Sequence, residues 1–307
     1  MAVVYETGTS TGPADLIATK LATFAAAQGW TVQSIAGGML QFVKGDVRVN
    51  FFWDADDINA MMSADYGAGL AWNLQTTRSG ITSLSNLGAG PYTAYHFYSG
   101  TDSGAEYLHC VVEVSAGRFF HFCMGTLIKF GAYTGGQYFE SQYITSNWRQ
   151  LPYTSTTATR TIFDGSTDYS TSNAGQIRAD IDAKTNNWLA TASAWAGNKY
   201  TGGGRGGLYM NLLHPIQYQK YNSLTPVFPI LIFADRPSSL RSAIGRVPDM
   251  RTVSMRNLTP AQTLTIGGVD WHCFPMWTRS EAAGAFLSSP TTEPYMSWYH
   301  GFAYRKN

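Results

Sequence analysis

Apolar residues near the start of the chain recur at helical spacing. The recurring positions are Leu16, Ile17, Leu21, Phe24 and Ala25. Residues three or four positions apart share one face of a helix. Pro13 suits the first helical turn because its missing N–H costs no hydrogen bond there, and Gly29 suits the helix end. The pattern predicts an amphipathic helix over about residues 13–28, which docks by its apolar face.

Apolar and polar residues then alternate, which is typical of strands with one buried face. The apolar positions of this segment are Leu40, Phe42, Val47, Val49, Phe51 and Trp53. Gly45 and Asp46 separate two alternating runs, and this pair of residue types suits a tight turn. We therefore expect a hairpin with one buried face.

A second hairpin is expected over residues 107–124, with its turn at residues 115–117. A three-residue turn would place His109 opposite Cys123 and on the same face as His121. A four-residue turn would send the two histidines to opposite faces. Only the first register permits a zinc-like cluster. Apolar surroundings and the lack of a C-x-x-C pair favour buried structural cysteines instead.

The second half of the chain suggests a similar plan of one helix followed by strands. Apolar positions recur at Ile177, Ile181, Trp188, Ala192 and Trp195, which predicts a second helix over about residues 176–196. Short apolar runs bounded by glycine or proline follow it and indicate strands. The expected fold class is a β-rich α+β fold of antiparallel sheets or sandwich-like lobes, with two peripheral amphipathic helices.

Residues 154–175 are dominated by Ser, Thr, Asp and Gly. Such a composition is typical of an exposed loop or of a junction between lobes. One interpretation is a lobe of residues 1–153 joined by this segment to a lobe of residues 176–307. The alternative is a single domain with a long loop.

Composition narrows the class of protein. Only 13% of the 307 residues are charged, against about 25% in ordinary soluble domains, and the net charge is +1. The absence of a basic stripe argues against free nucleic-acid binding. No apolar run is long enough for a membrane-spanning helix, and the first residues do not resemble a secretory signal. Three cysteines are too few for a disulfide framework, so synthesis in a reducing cytoplasm is expected.

Two candidate ligand motifs have simpler explanations. Gly202, Gly204 and Gly207 form a G-x-G-x-x-G, but they follow a predicted helix and lead into a strand-like run, the reverse of a dinucleotide site. Asp54, Asp56 and Asp57 form an acidic cluster after a strand. The calcium-loop pattern does not continue beyond them, so solvated loop carboxylates are expected.

No nucleophile elbow, metalloprotease motif or phosphate-binding loop occurs in the sequence. The six glutamates are Glu6, Glu106, Glu113, Glu140, Glu281 and Glu293, and none has an acid–base partner beside it in sequence. The remaining cysteines lie in His109-Cys110 and His272-Cys273. We assign no catalytic, cofactor-binding or metal-binding residue and expect neither an enzyme nor a cofactor.

Aromatic residues are abundant, with 9 Trp, 18 Tyr and 16 Phe. Tyr and Trp are favoured in protein interfaces because they bury much area and keep a polar tip. Core and turn packing is the alternative use of these side chains. A subunit covered by its neighbours also needs few surface charges, so the isolated chain is expected to self-associate.

Short motifs at both ends of the chain occur together in one group of proteins. They are Glu6-Thr7-Gly8-Thr9, Gly29-Trp30-Thr31, Thr265-Ile266-Gly267-Gly268, the aromatic-Phe-Pro strand from Trp271 to Pro275, and Phe302-Ala303-Tyr304-Arg305-Lys306. In this conjunction the chain resembles uncharacterised virion structural proteins of tailed bacteriophages and prophages. The resemblance covers both ends and is thin over residues 55–200.

The resemblance implies a non-enzymatic virion subunit of the tail, tail tip, baseplate or head–tail region, made in the host cytoplasm. Its implied partners are other virion proteins and copies of itself, with Arg305 and Lys306 in a terminus tied into a sheet or a neighbour. One alternative is a receptor- or glycan-binding module that stacks exposed Tyr and Trp on host-surface sugars. A further alternative is a cell-wall-degrading enzyme with two carboxylates in a cleft.

Overall fold

The computed structural model describes ten longer stretches and three single residues of the chain. They are residues 3–35, 39–54, 57–64, 75, 77–84, 87–142, 162, 175–190, 225, 227–236, 240–255, 257–276 and 300–307. Among them, no helix is long and apolar enough to cross a membrane.

Helix α1 lies where the sequence predicts it. It begins with a π-helical segment, Asp15–Leu21, and continues as an α-helix, Ala22–Ala27. All five residues of the predicted apolar face are buried. The carboxylate of Asp15 accepts hydrogen bonds from the Ser10 hydroxyl at 2.8 Å and from the Thr11 N–H at 3.0 Å, which fixes the first turn. Gly29 ends the helix in a left-handed conformation, with φ +77°.

Besides this helix, the described residues form eighteen strands. In chain order they are β1 Val4–Ser10, β2 Thr31–Ile35, β3 Met39–Lys44, β4 Val47–Asp54, β5 Asp57–Met62, β6 Thr82–Ser83, β7 Tyr92–Asp102, β8 Ala105–Ser115, β9 Arg118–Thr126, β10 Ile128–Lys129, β11 Thr134–Ser141, β12 Gly175–Asp180, β13 Trp188–Ala190, β14 Val227–Arg236, β15 Leu240–Ser254, β16 Gln262–Ile266, β17 Val269–Pro275 and β18 His300–Arg305. The predicted β-rich, antiparallel character is confirmed.

The strands form three antiparallel sheets. The five-stranded sheet follows the chain in the order β2-β3-β4-β5-β6. The seven-stranded sheet has the order β1-β7-β8-β9-β11-β12-β13. The six-stranded sheet has the order β10-β15-β18-β17-β16, and β14 pairs with β15. The first predicted hairpin is β3-β4, in which Lys44 lies opposite Val47 across the Gly45-Asp46 turn.

The seven-stranded sheet is the middle layer because both of its faces are buried. Phe97 and Cys110 pack with α1 and the five-stranded sheet in one apolar cluster. Tyr98 and Val111, on the opposite face, pack with the six-stranded sheet in a second cluster. A third, smaller cluster lies on strands β15, β17 and β18 and includes Trp271. Burial of both faces explains the near-continuous apolar runs of the middle strands.

The predicted helix over residues 176–196 is wrong. Its first part forms β12, and Trp188–Ala190 forms β13 opposite it. Ile177 and Ala179 are buried while their neighbours Arg178 and Asp180 are partly exposed, which is the two-residue period of a strand. Between the strands, left-handed backbone conformations at Asp182, Ala183 and Asn186 interrupt any helix. Residues 191–196 lie outside the described part of the chain.

The second predicted hairpin is confirmed as β8-β9, and its register places His109 opposite Cys123. The turn itself holds two residues, and the register shifts at a bulge between Glu113 and Ser115. The Glu113 carboxylate accepts the Gly117 N–H at 2.8 Å and so closes the turn. His109 and His121 therefore share a face, as the three-residue alternative requires.

Residues of both predicted lobes meet in one sheet and one apolar cluster. Strand β12 pairs with β11 in the middle sheet. Tyr98 packs in the same cluster as Phe302. Apart from Ile162 and Gly175, the connecting segment 154–175 lies outside the described residues. The two-lobe division and its single-domain alternative both stay predictions.

Candidate functional site

Four buried or half-buried histidines each form a hydrogen bond with a tyrosine. The joined atoms are Tyr5 Oη and His96 Nδ1 at 2.9 Å, Tyr98 Oη and His272 Nδ1 at 2.8 Å, Tyr138 Oη and His109 Nε2 at 3.1 Å, and Tyr304 Oη and His121 Nδ1 at 2.7 Å. We call these eight residues the histidine–tyrosine array. It lies between the seven-stranded and the six-stranded sheet.

Strand register brings the array together. Tyr98 lies opposite His109, and His272 lies opposite Tyr304, so each pair of neighbours points to the same side of its sheet. The rings of Tyr98 and Tyr304, which come from different sheets, stack at 5.3 Å between their centroids. The ring of Tyr107 stacks on that of His109 at 4.5 Å. The array is therefore a continuous aromatic layer with internal hydrogen bonds.

Burial keeps three histidines of the array, His96, His109 and His272, uncharged near neutral pH. Desolvation lowers the pKa of His109 to about 3 and the pKa of His96 and His272 to about 4. Lys306 further lowers the pKa of His272, while Asp270 opposes this effect. Burial also raises the pKa of Tyr98 and Tyr138 well above the usual value. These groups supply hydrogen bonds without supplying charge.

The cysteines are separated from one another. Cys110 lies in the cluster beside α1, Cys123 lies on the opposite face of the middle sheet, and Cys273 lies in the third cluster. All three are free and buried, as the sequence interpretation holds. Burial raises the pKa of each thiol, that of Cys273 to about 12. Among the described residues, no group of three His, Cys, Asp or Glu side chains is placed to hold a metal ion.

A buried carboxylate links the middle sheet to strand β18. Asp249 accepts a hydrogen bond from the Tyr107 hydroxyl at 2.9 Å and lies 3.3 Å from the guanidinium of Arg305. Its backbone is left-handed, with φ +43°. Strand β18 itself lies between β15 and β17. The segment that contains Arg305 is thus tied into a sheet, one of the two arrangements expected for it.

The other candidate residues are dispersed or lie outside the described part. The backbones of Asp54 and Asp57 pair at the end of the β4-β5 hairpin, and Asp56 lies outside the described residues. Gly202, Gly204 and Gly207 also lie outside, as do Glu281 and Glu293. The described glutamates lie apart in the fold: Glu6 accepts the Tyr95 hydroxyl, Glu106 pairs with Lys44, Glu113 closes a turn, and Glu140 is buried on β11.

Sequence reasoning does not find the histidine–tyrosine array, because its partners lie from 29 to 183 positions apart. One signal was present. His96, His109, His121 and His272 each follow an aromatic or aliphatic residue and precede Phe, Cys, Phe and Cys respectively. The last three of these histidines lie inside predicted strands. A polar ring in such surroundings is buried and requires a partner.

Several sheet edges are unpaired within the described residues. The outermost strands include β1, β2 and β16. Strands β2 and β16 contain no charged residue, and β1 contains only Glu6. Natural proteins commonly protect open edges with charges, prolines or bulges, because unpaired backbone groups bind other strands. These edges are therefore candidate interaction surfaces.

Within the part of the chain that the structure describes, aromatic side chains do not form such a surface. Among the described residues, the only exposed Phe, Tyr or Trp side chains are Phe130 and Phe228. The largest fully buried side chains are all Tyr or Phe. In this part of the chain, core packing explains the aromatic content better than the interface interpretation does.

No protein-family model matches the chain, and no curated protein is significantly similar to it. The function therefore has to be inferred from the residues and their geometry.

Proposed function

We propose that the chain is a structural subunit of a tailed-phage virion, in the tail, tail tip or baseplate. It acts by contact with copies of itself and with other virion proteins. The observation that carries this proposal concerns the edge strands β2 and β16, which contain no charged residue and pair on one side only within the described residues. Because unpaired strand edges bind other strands, a chain that leaves them unprotected suits permanent assembly.

The low content of charge supports the same role. A freely diffusing protein usually carries mixed charges over its surface, which keep it dispersed. Here 13% of residues are charged. Much of the outer surface of an assembled subunit is interface, where charged residues are depleted.

The motifs that resemble phage virion proteins occupy constrained positions, which supports a shared fold. A side chain at Gly8 would lie 2.7 Å from the Tyr95 hydroxyl oxygen. Gly267 and Gly268 form a turn with φ +58° and +81°. Trp30 is buried beside α1 and Phe302 is buried in the second cluster. We therefore expect a related sequence that contains the same motifs to form the same first strand, helix end and β16-β17-β18 region.

The two alternative functions, a glycan-binding module and a cell-wall-degrading enzyme, have less support. A glycan-binding module requires several exposed aromatic rings on one patch, and the described residues expose only Phe130 and Phe228. A glycosidase requires two carboxylates across a cleft. The four described glutamates lie in separate environments. We therefore propose no enzyme activity.

Labelling of purified particles tests the proposed role. Particles from cells that carry this gene are imaged by negative stain with an antibody against the chain, and their proteins are identified by mass spectrometry. We expect the chain in the particles and the label at the tail or its tip. Particles that lack the chain would contradict the proposal, and label on the head alone would contradict the assignment to the tail.

A further inference from the structure

Strand β16 is an exposed edge without the usual protection. Four of its five residues are exposed and Leu264 is partly buried. From residue 257 to residue 269 the chain contains no charged side chain. Within the described residues, β16 pairs only with β17. No described strand therefore uses its outer backbone groups.

The turn next to β16 determines which backbone groups point outward. Gly267 and Gly268 form a two-residue turn with positive φ at both positions, the geometry preferred in tight hairpins. In such a hairpin the residues next to the turn, Ile266 and Val269, exchange backbone hydrogen bonds. Bonded and non-bonded pairs alternate along the strands. Leu264 therefore also directs its N–H and C=O toward β17, whereas Thr263 and Thr265 direct theirs toward the open edge.

We propose that β16 pairs antiparallel with β16 of a second copy of this chain, about a two-fold axis at Leu264. In this register Thr263 of one copy lies opposite Thr265 of the other, and both residues have outward backbone groups. Each of these pairs exchanges two hydrogen bonds. Leu264 meets its own copy in a non-bonded pair, where side chains approach most closely. The register uses all five residues of the strand.

Side chains on one face of the sheet favour the same register. Leu264, Ile266 and Val269 lie on the face of Trp271 because strand residues alternate. Leu264 and Val269 pack against the third cluster while remaining partly exposed, and Ile266 is 42% exposed. Pairing covers Leu264 with its copy and Ile266 with Gln262 of its copy. The third cluster then continues across the two-fold axis.

The other open edges suit a symmetric pairing less well. Strand β1 carries Glu6, so two copies would bring like charges close together. Strand β2 exposes Thr31, Gln33 and Ser34, which offer no apolar row to bury. The lack of charge, the hydrogen-bonding pattern and the apolar contacts thus together favour a second copy of the chain as the partner of β16.

This pairing rests on the proposed structural role, which it deepens by naming the edge that meets a second copy. The two proposals fail separately. Particles that contain the chain, together with a strictly monomeric purified chain, would overturn the pairing alone. A β16-dependent dimer of a chain that is absent from particles would overturn the virion role alone.

The first test measures self-association of the purified full-length chain by analytical ultracentrifugation. Thr263→Pro removes an outward N–H that no described strand of the same chain uses. Leu264→Lys places two ammonium groups opposite each other in the paired dimer. Thr93→Lys is the matched control, since Thr93 is exposed on β7, away from β16. We expect a dimer whose dissociation constant rises at least about tenfold in both β16 variants and is unchanged in the control. A wild-type chain that stays monomeric at micromolar concentration, or a dimer that neither variant weakens, would overturn the pairing.

The second test fixes the register by oxidation of single cysteine variants. Leu264→Cys places two thiols in a non-bonded pair, about 4.5 Å apart between Cα atoms, which permits a disulfide. Gln262→Cys places the two thiols about 13 Å apart, which does not. The native cysteines are buried. We expect a cross-linked dimer for Leu264→Cys only. Equal cross-linking of both variants, or none of Leu264→Cys, would overturn the register.

Discussion

The Nδ1 atom of His121 lies 2.7 Å from the hydroxyl oxygen of Tyr304, across the interface between two sheets. The Nε2 atom of the same imidazole lies 2.9 Å from the carbonyl oxygen of Pro275. A carbonyl only accepts, so Nε2 carries the hydrogen in the neutral ring, and the Tyr304 hydroxyl donates to Nδ1. Both ring nitrogens thus bond to the six-stranded sheet from a histidine of the middle sheet.

Replacement of Tyr304 by Phe should destabilise the fold by about 1–3 kcal/mol, because it removes a buried hydroxyl that bonds to an imidazole nitrogen of His121. Urea denaturation followed by circular dichroism measures the change in unfolding free energy. Tyr133→Phe is the control, since that half-buried hydroxyl bonds to the Ile244 carbonyl at 3.2 Å. Equal losses of unfolding free energy in the two variants would show that the hydrogen bond to His121 contributes no more to stability than the bond to the Ile244 carbonyl.

Stability should fall as pH falls below about 6.5, the ordinary histidine pKa. The unfolded chain binds protons at its imidazoles there, while burial lowers the pKa of His96 and His272 to about 4 and that of His109 to about 3. Because the unfolded state binds more protons, unfolding free energy increases with pH between about 4 and 6.5. Denaturation curves at several pH values measure this slope.

His109→Gln isolates one contribution to that slope. Glutamine keeps a polar group near the Tyr138 hydroxyl but does not titrate. The slope near pH 5 should fall by up to about 1.4 kcal/mol per pH unit, the linkage of one proton. An unchanged slope would mean that His109 binds its proton equally in both states. The carboxyl group of Asp15, whose pKa is lowered, titrates in the folded chain at a more acidic pH than this window.

Local patterns predict part of this fold well. The face of α1 and the turn at Gly45-Asp46 depend on neighbouring residues, and both were predicted. The error at residues 176–196 has a local cause as well. Ile177 and Ile181 fit a four-residue spacing and also a two-residue spacing, and burial of Ala179 between them shows that the shorter period applies.

The candidate surfaces could be predicted only in part. The register that places His109 opposite Cys123 depends on a bulge near Glu113. No turn motif in the sequence predicts this bulge. The partner of His121 lies 183 positions away and depends on how two sheets pack. The turn between β16 and β17, in contrast, can be predicted from the residue pair Gly267-Gly268. Its openness depends on the sheet order, which local sequence does not encode.

Gly301→Ala should destabilise the six-stranded sheet strongly. An added Cβ would clash with the carbonyl oxygen of Phe274, and backbone atoms of a paired strand cannot move away at low energetic cost. Overpacking of this kind costs about 1–3 kcal/mol. Gly131→Ala is the matched control because no atom lies within 4 Å of the added Cβ, and its melting temperature should hold or rise slightly. Thermal unfolding of both variants separates the two cases, and equal melting temperatures would contradict the close approach.

Asp249→Asn should weaken the connection between the middle sheet and β18. The amide keeps the shape and tolerates the left-handed backbone, but it removes the charge that faces Arg305 and accepts the Tyr107 hydroxyl. Hydrogen bonds to buried charged groups contribute about 1.5–3 kcal/mol, so the unfolding free energy should fall by a similar amount. Asp182→Asn is the control. Asp182 also has a left-handed backbone and pairs with an arginine, Arg236, but at the solvent-exposed surface, where such pairs contribute little. If the two variants are equally stable in urea, the Asp249 carboxylate does not fasten β18 to the middle sheet.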